Sequence, residues 1–210
     1  MKSVQFIKQL NNTEVGKSGT NDTYILIPQG VDVSDLFEEI GREYPFRDKE
    51  SGQLYALRYT CAREKRIVGL GQYYRDQNAQ AGDRVLLEKR MDEDGICAYY
   101  IDLAASENTA FFQKVKSSFE SLTPEKAVPF LREPSLDVDG RTVTVRYSGE
   151  IRKRKDSPTA ISVYDILVGE ERLQESCQGG DMIGLCSENG RTRILRVQPW
   201  KKCTIEVNEP

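Results

Sequence analysis

Histidine is absent from this sequence of 210 residues. Without histidine the chain cannot use a Ser-His-Asp or Cys-His arrangement for nucleophilic catalysis, nor the histidine ligands that are usual at catalytic zinc sites. The same absence excludes nucleases of the HNH type. Any chemistry carried by the chain would therefore rest on carboxylates and lysine.

Long apolar runs and paired cysteines are also missing. No stretch approaches the ~18 consecutive apolar residues of a membrane span, and the first residues, MKSVQFIKQLNN, lack the apolar core of a signal peptide. The five cysteines are scattered and form no Cys-x-x-Cys pair, which is typical of reduced intracellular thiols rather than of a zinc site or a disulfide framework. These features predict a soluble cytoplasmic protein with no membrane partner.

Charge is segregated along the chain, although its net value is only −3. Residues 32–50 contain seven acids and three bases, residues 52–90 contain eight bases and four acids, and residues 141–155 contain six bases and one acid. Such segregation steers one face of a protein toward a polyanion. Two ordinary solvated basic stretches would give the same composition, so both interpretations stay open.

Apolar alternation and turn signals predict a mostly β chain with one or two short helices. The expected strands lie at residues 4–10, 23–28, 54–61, 142–147, 161–168, 182–186, 193–197 and 204–207, with a hairpin over residues 81–103. Helices are expected at residues 34–40 and 111–120, and one helical turn at residues 72–75. The passage around Pro45 is interpreted as turns, and the prolines between residues 124 and 134 as a connector.

The chain is expected to fold in two parts, residues 1–122 and a small β-rich part at residues 123–210. Gly180-Asp181, followed by Asn189-Gly190, echoes the Gly82-Asp83 start of the hairpin. This echo fits an internal repeat, and it fits equally the general way in which small barrels begin a strand.

Gly16-Lys17-Ser18 matches the end of a nucleotide-binding phosphate loop. The full motif needs a glycine five residues before Gly16 and a helix after the loop. Position 11 is Asn11, and a predicted strand follows the loop. Because a loop between two strands offers no helix N-terminus to a phosphate, this segment is interpreted as a surface loop or as one that touches DNA.

Arg63-Glu64-Lys65-Arg66 offers three cations and one carboxylate in four residues. Arginine can donate to guanine O6 and N7 together, and a carboxylate can accept from cytosine N4. The segment therefore suits G·C pairs in the major groove. The alternative is an exposed strand end at which Glu64 pairs with a neighbour.

Three stretches, in order, resemble the N-terminal effector domain of EcoRII-type restriction endonucleases, a DNA-binding pseudobarrel also found in plant transcription factors of the B-three type. They are residues 6–28, residues 64–67 with Gly71 after them, and the hairpin at residues 78–103 with the segment near Phe111. The resemblance covers about residues 3–122. It implies a seven-stranded pseudobarrel that grips duplex DNA with two loop arms, and a short G·C-containing site such as CCWGG.

The resemblance also implies which residues touch DNA. The N-arm candidates are Glu14, Lys17, Ser18, Thr20, Asn21 and Asp22, and the C-arm candidates are Arg58, Arg63, Glu64, Lys65, Arg66 and Arg75. Glu14 and Asn21 depart from the aspartate and the histidine that family members can carry there. Beyond the resemblance, Arg152, Lys153, Arg154 and Lys155 form a candidate phosphate clamp, with a solvated loop as the alternative.

Catalysis is not expected in this chain. A metal-dependent restriction nuclease usually carries an acid followed, about ten to twenty residues later, by acid-x-Lys. The nearest match joins Asp137 or Asp139 to Glu150, with Arg152 where lysine is wanted. DNA binding would need no cofactor, and Mg²⁺ would serve only a nuclease domain in the same chain or a partner chain of a bacterial or archaeal restriction system. The alternatives are an intact small Mg²⁺-dependent nuclease and a β-barrel that binds a ligand or a protein.

Overall fold

The computed structural model describes residues 1–17, 22–106, 108–152 and 160–206. The chain divides into two compact units, one formed by Met1–Ala105 with Trp200–Pro210 and the other by Ser106–Pro199. The sequence put this division near residue 122 and gave the last strand to the second part. The structure returns that strand to the first unit because it pairs along its whole length with the first strand of the chain.

The first unit is one curled sheet of eight strands with a short helix. Its elements are β1 (Lys2–Gln9), β2 (Tyr24–Leu26), β3 (Glu43–Asp48), β4 (Leu54–Cys61), β5 (Lys65–Val68), α1 (Gly71–Asp76), β6 (Arg84–Met91), β7 (Cys97–Ala104) and β16 (Trp200–Glu206). The order in the sheet is β16-β1-β6-β7-β3-β4-β5-β2. Alternate residues point inward, so Phe6, Phe46, Leu57, Ile67 and Leu87 form a fully buried core.

The second unit has eight strands, of which seven close into a barrel. Its elements are β8 (Thr109–Val115), β9 (Ser118–Ser121), α2 (Pro124–Arg132), β10 (Ser135–Asp137), β11 (Thr142–Ile151), β12 (Ile161–Val168), β13 (Glu171–Arg172), β14 (Met182–Glu188) and β15 (Arg191–Val197). The order is β11-β10-β15-β14-β8-β9-β12-β13, and a β11–β12 pairing closes the ring. Phe112, Phe119, Ile166 and Leu185 are buried inside it.

The two units share one strand topology. In chain order, β1 to β7 correspond to β8 to β12 followed by β14 and β15. Each corresponding pair of neighbours has the same direction, including the single parallel pair of each unit, which is β3–β7 in the first and β10–β15 in the second. The units differ in three places: β16 extends the first sheet beyond β1, β13 is added beside β12 in the second unit, and β8 pairs with β9, which makes the second sheet a closed ring.

The same turn precedes β6 and β14. Before β6, the Gly82 N–H donates to the Leu10 carbonyl at 2.8 Å, and the Leu10 N–H donates to the Asp83 carbonyl at 2.8 Å. The Asp83 carboxylate accepts the N–H of Gln80 at 2.7 Å. Gly82 has a φ of 93°, which favours glycine.

Before β14, every one of these bonds has a counterpart. The Gly180 N–H donates to the Lys114 carbonyl at 3.0 Å, and the Lys114 N–H donates to the Asp181 carbonyl at 2.8 Å. The Asp181 carboxylate accepts the N–H of Gln178 at 2.8 Å, and Gly180 has a φ of 90°. The Gly-Asp echo in the sequence therefore belongs to an internal structural repeat.

The expected fold class, a mostly β pseudobarrel with one or two short helices and a β-rich second part, is confirmed. The hairpin of β6 and β7 is confirmed with its glycine turn, where Gly95 has a φ of 78°. The helical turn at residues 72–75 lies within α1. Within the described residues neither helix is long and apolar enough to cross a membrane.

The two longer helices predicted from the sequence are wrong. Residues 34–36 form only a turn, although Asp32 accepts the Ser34 N–H at 2.9 Å as a helix cap would. Residues 111–120 form parts of β8 and β9 instead. Lys116, with a φ of 50°, turns the chain between these strands, and their pairing buries Phe112 and Phe119.

Two elements were missed because of proline. The strand β3 contains Pro45, but its ladder with β7 begins at Phe46, so the missing N–H lies outside the parallel register. The segment taken for a connector contains α2, in which Pro124 occupies the start, where an N–H is not needed. Burial of Ala127 and Phe130 holds this helix on the barrel.

One buried carboxylate in the first unit, Glu88, should make the stability of the fold depend on pH in acid. The Glu88 side chain is 3% exposed and contacts Arg90 Nε at 2.9 Å and Lys49 Nζ at 2.7 Å. Burial alone would raise its pKa, but hydrogen bonds from Arg90, Lys49, Ser3 and Gln5 outweigh burial and lower the pKa of Glu88 from 4.5 to about 2. As the pH falls, Glu88 is therefore protonated in the unfolded chain before it is protonated in the folded chain. The stabilisation that Glu88 provides is complete above about pH 4.5 and is lost as the pH falls to about 2.

Denaturant unfolding at a series of pH values from 2 to 7 measures this effect. We expect the Glu88→Gln variant to be less stable than the parent near neutral pH and to lose less stability between pH 4.5 and 2. If both proteins lose stability equally over that interval, Glu88 does not carry the acid sensitivity.

Candidate nucleic-acid interface

Two loops flank the β2–β5 strand pair at opposite ends. We call residues 10–23, which join β1 to β2, the N-arm, and residues 62–64, which join β4 to β5, the C-arm. The two strands are antiparallel, with Leu26 opposite Arg66, and the Ile27 N–H donates to the Lys65 carbonyl at 2.9 Å. At about 3.3 Å per residue, the roughly five residue steps between the arms correspond to ~16 Å. This separation is comparable with the ~12 Å width of the DNA major groove.

The base of the N-arm is fixed by Glu14, which the resemblance predicted to touch DNA. Its side chain is 1% exposed and lies 2.7 Å from Lys8 Nζ, which is 6% exposed. The same carboxylate accepts the N–H of Asn11 at 3.1 Å and of Leu26 at 3.0 Å. Glu14 therefore ties the N-arm to β1 and β2, and its burial leaves it no surface for DNA.

The Gly16-Lys17-Ser18 motif is not a nucleotide-binding phosphate loop, because β2 follows it where a helix would be required. Gly16 has a φ of 77° and turns the chain. Lys17 is exposed, its N–H donates to the Asn12 carbonyl at 2.8 Å, and its ammonium contacts the side chain of Gln80. Three predicted N-arm contacts, Ser18, Thr20 and Asn21, lie outside the described residues, whereas Asp22 is described and exposed.

Arg66 lies between the arms in a fixed position. Its Nε and Nη2 donate to Glu64 Oε2 at 3.0 and 2.6 Å, and its guanidinium carbon lies 4.0 Å from the centroid of the Tyr24 ring. The hydrogen bond to Glu64 raises the pKa of Arg66 above its usual value. The pair engages one edge of the guanidinium, so Nη1 and the second hydrogen of Nη2 are not used by it. The other edge, formed by Nη1 and Nη2, has the donor geometry that guanine O6 and N7 require.

A further predicted arginine, Arg58, lies on the same side of the sheet as Arg66. Arg58 is exposed on β4 and stands opposite Val68, which in turn stands opposite Tyr24. Inward-facing Leu57 and Ile67 alternate with Arg58 and Arg66, so both arginines project from the outer face.

Arg75 reaches the end of the N-arm from α1. A Cβ at Gly71 would lie 3.0 Å from Thr23 Oγ1 and 3.5 Å from Arg75 Nη1, so these two groups flank the start of the helix. Arg75 also donates to Gln72 Oε1 at 2.8 Å. Three arginines thus surround the point at which the N-arm enters β2.

The other C-arm candidates take different positions. Arg63 is exposed in the turn itself. Lys65 is exposed too, but successive strand residues point to opposite faces, so it projects away from Arg66. Its charge instead acts on Asp32, whose pKa is lowered first by hydrogen bonds from Ser34 and then by Lys202 and Lys65.

Sequence reasoning missed Tyr24, on whose ring Arg66 rests. The residue lies in the strand that follows the N-arm, where an aromatic residue is normally assigned to the core. Its role depends on the pairing of β2 with β5, which joins residues about forty positions apart. No local signal could have found it.

The candidate nuclease residues are far apart. Asp137 is buried and bound to Arg141, with 2.8 Å between Arg141 Nε and Asp137 Oδ2, and it shapes the turn that contains Asp139. Glu150 lies eight residues beyond Thr142, at the other end of β11, which corresponds to ~26 Å along the strand. These carboxylates cannot share a Mg²⁺ ion. Across residues 1–17, 22–106, 108–152 and 160–206 no cluster of three metal-ligating side chains occurs.

No protein-family model matches the chain, and no curated protein matches it. Among solved structures it is similar to the hypothetical Arabidopsis thaliana protein At1g16640.1, with 17% identity, 50% of this chain and 93% of that chain covered, and a TM-score of 0.36. It is also similar to Arabidopsis FUS3 in a DNA complex, with 14% identity, coverage of 48% and 96%, and a TM-score of 0.34.

A third similar structure is the B3 domain of the UbaLAI restriction endonuclease with cognate DNA. The identity is 23%, the match covers 50% of this chain and 69% of that chain, and the TM-score is 0.33. Of these three structures, two contain DNA, and one is a B3 domain of a restriction endonuclease, the type that the sequence resemblance named.

Proposed function

We propose that this chain is a sequence-specific binding module for duplex DNA, in which the first unit grips the major groove between its N-arm and its C-arm. Arg66, on β5 between the arms, donates to a guanine base. Arg58, Arg75 and Lys17 contact the phosphates on either side. A short G·C-containing site fits this chemistry, and the family resemblance suggests one like CCWGG.

The observation that carries the proposal is the Arg66–Glu64–Tyr24 arrangement. Arginine side chains lose considerable conformational freedom when they bind a base. Here the hydrogen bonds to Glu64 and the Tyr24 ring hold the guanidinium before DNA arrives. Pre-organisation of this kind lowers the cost of binding. An arginine that served only to attract phosphates would need no such support.

Glu64 fits the same interpretation. A free carboxylate beside a phosphate backbone would repel it, but pairing with Arg66 neutralises this charge. The carboxylate oxygen that does not bind Arg66 can accept from cytosine N4. The pair could thereby contact both bases of one G·C pair.

We further propose that the module targets a nuclease to its site within a bacterial or archaeal restriction system in the cytoplasm. The nuclease domain, with its Mg²⁺, would belong to the same polypeptide or to a partner chain. The wide separation of Glu150 from Asp137 and Asp139 supports a purely binding role for the described residues.

Selection of bound sequences from random duplex DNA tests the proposed function. We expect enrichment of one short motif that contains a G·C pair. Recovery of unenriched DNA, or of no DNA, would contradict sequence-specific recognition. Cutting of the selected DNA by the purified chain with Mg²⁺ would instead show that it is an intact nuclease.

Binding should weaken as salt rises. Each phosphate contact made by lysine or arginine releases counterions and adds about 0.9 to the slope of log affinity against log salt concentration. With Lys17, Arg58 and Arg75 all engaged, we expect a slope of roughly −3 or steeper. Mobility shifts over a salt series measure it, and a flat dependence would favour a barrel that binds something other than nucleic acid.

A further inference from the structure

The second unit has loops at the positions of both arms. The β1–β2 and β4–β5 connections of the first unit correspond to the β8–β9 and β11–β12 connections of the second. The first of these is the turn at Lys116 and Ser117, which is much shorter than the N-arm. The second begins at Arg152.

These two connections meet in the second unit. Lys116 and Arg152 are both exposed, and Lys116 Nζ donates to the Arg152 carbonyl at 3.3 Å. The Lys116 ammonium therefore lies against the backbone of Arg152, so this contact brings together two exposed residues that both carry a positive charge. Glu150 is the nearby exposed acid on β11. Lys153, Arg154 and Lys155, which continue the predicted phosphate clamp, lie outside the described residues.

The second unit lacks the base-reading arrangement of the first. The strand β12, which corresponds to β5, starts with Ile161, Ser162, Val163 and Tyr164, so neither an arginine nor a carboxylate occupies the positions of Arg66 and Glu64. Lys116 contributes a point charge without the paired donors that identify a guanine. Arg152 has such donors, but within the described residues no carboxylate and no aromatic ring holds its guanidinium as Glu64 and Tyr24 hold that of Arg66. The chemistry of this end fits the DNA backbone rather than base edges.

We propose that the second unit is a second DNA-contacting module, which binds the phosphate backbone through Lys116 and Arg152 without reading sequence. The repeat gives each unit two corresponding connections. Those of the first unit would recognise the base sequence, and those of the second unit would bind the phosphate backbone. This inference rests on the proposed function for its ligand, duplex DNA, but it concerns different residues in a different unit.

The test uses the full chain with Lys116→Gln and Arg152→Gln combined. We expect the affinity for the selected site and for random duplex DNA to fall by the same factor, roughly tenfold at moderate salt, and the salt slope to become shallower by about 1.8. The ratio of the two affinities should stay unchanged. Both side chains are exposed, so the thermal midpoint should not move.

The matched control removes two charges at the other end of the same barrel. Lys126 and Arg132 are exposed on α2, and Lys126 lines a groove with Asn108, at the start of β8, whereas Lys116 follows the end of that strand. We expect Lys126→Gln with Arg132→Gln to leave affinity and slope unchanged.

Three outcomes would overturn the inference: an unchanged slope in the Lys116/Arg152 variant, a loss confined to the selected site, or an equal loss in the control. Failure of the proposed function looks different. In that case the parent chain would show no site preference. If the Lys116/Arg152 variant then lost affinity for duplex DNA and the control variant did not, a backbone contact by the second unit would still be supported.

Discussion

Replacement of Glu14 by alanine is expected to lower the free energy of unfolding by about 3–5 kcal/mol, the usual cost of removing one partner of a buried ion pair. The change leaves the ammonium of Lys8 buried without its carboxylate, which lies 2.7 Å away in the parent. It also removes the acceptor of the Asn11 and Leu26 N–H groups. Urea unfolding without DNA measures the effect.

An exposed ion pair supplies the control for this change. Arg42 and Glu39 lie 2.6 Å apart with side chains 55% and 64% exposed, and solvent screening leaves exposed pairs of this kind little effect on stability. Glu39→Ala should therefore leave the unfolding curve almost unchanged. If Glu14→Ala were equally harmless to stability and yet abolished DNA binding, Glu14 would be a DNA contact and not a support of the N-arm.

Replacement of Arg66 by alanine is expected to cost about 1–3 kcal/mol of binding free energy on the selected site and much less on random duplex DNA. The lost interaction is the paired donation to a guanine, which random DNA rarely offers in the right register. Arg66→Lys keeps the charge but not the paired donors, so it should lose nearly the same selectivity. Competition binding with selected and scrambled duplexes measures both affinities.

A Lys17 variant distinguishes recognition of the base sequence from binding of the DNA backbone. Its flexible ammonium acts as a point charge on an exposed loop. Lys17→Ala should weaken binding to both duplexes by the same factor and make the salt slope shallower by about 0.9. If Arg66→Ala leaves the ratio of the two affinities unchanged, Arg66 does not read the sequence and the proposed function fails at that point.

The strands and the main hairpin could be predicted because their signals are local. The limits of β4 and β12 follow from runs of apolar and β-branched residues, and Asp94-Gly95 specifies a turn through the positive φ of Gly95. The helices could not be predicted as well. Phe112, Val115 and Phe119 fit a helix period, but the pairing of β8 with β9 outweighs this local preference.

The candidate site was only partly readable. The residue chemistry of the Arg63–Arg66 segment suits it to DNA, and the family resemblance pointed to the N-arm; both stay predictions. Tertiary structure decided that Glu14 is a buried support, that Lys65 and Arg66 point to different faces, and that Arg66 rests on Tyr24. A carboxylate looks the same in a sequence whether a lysine or water surrounds it, and only the fold brings Lys8 to Glu14.

The sequence by itself therefore determined the fold class, the absence of histidine chemistry and the basic segments. It left the Gly-Asp echo undecided, because two short motifs cannot distinguish a repeat from a common way of starting a strand. Tertiary structure decided it through strand order, since β3–β7 and β10–β15 are parallel pairs between strands distant in the chain. Which strands become neighbours depends on how the whole core is buried, and no local stretch of residues encodes that choice.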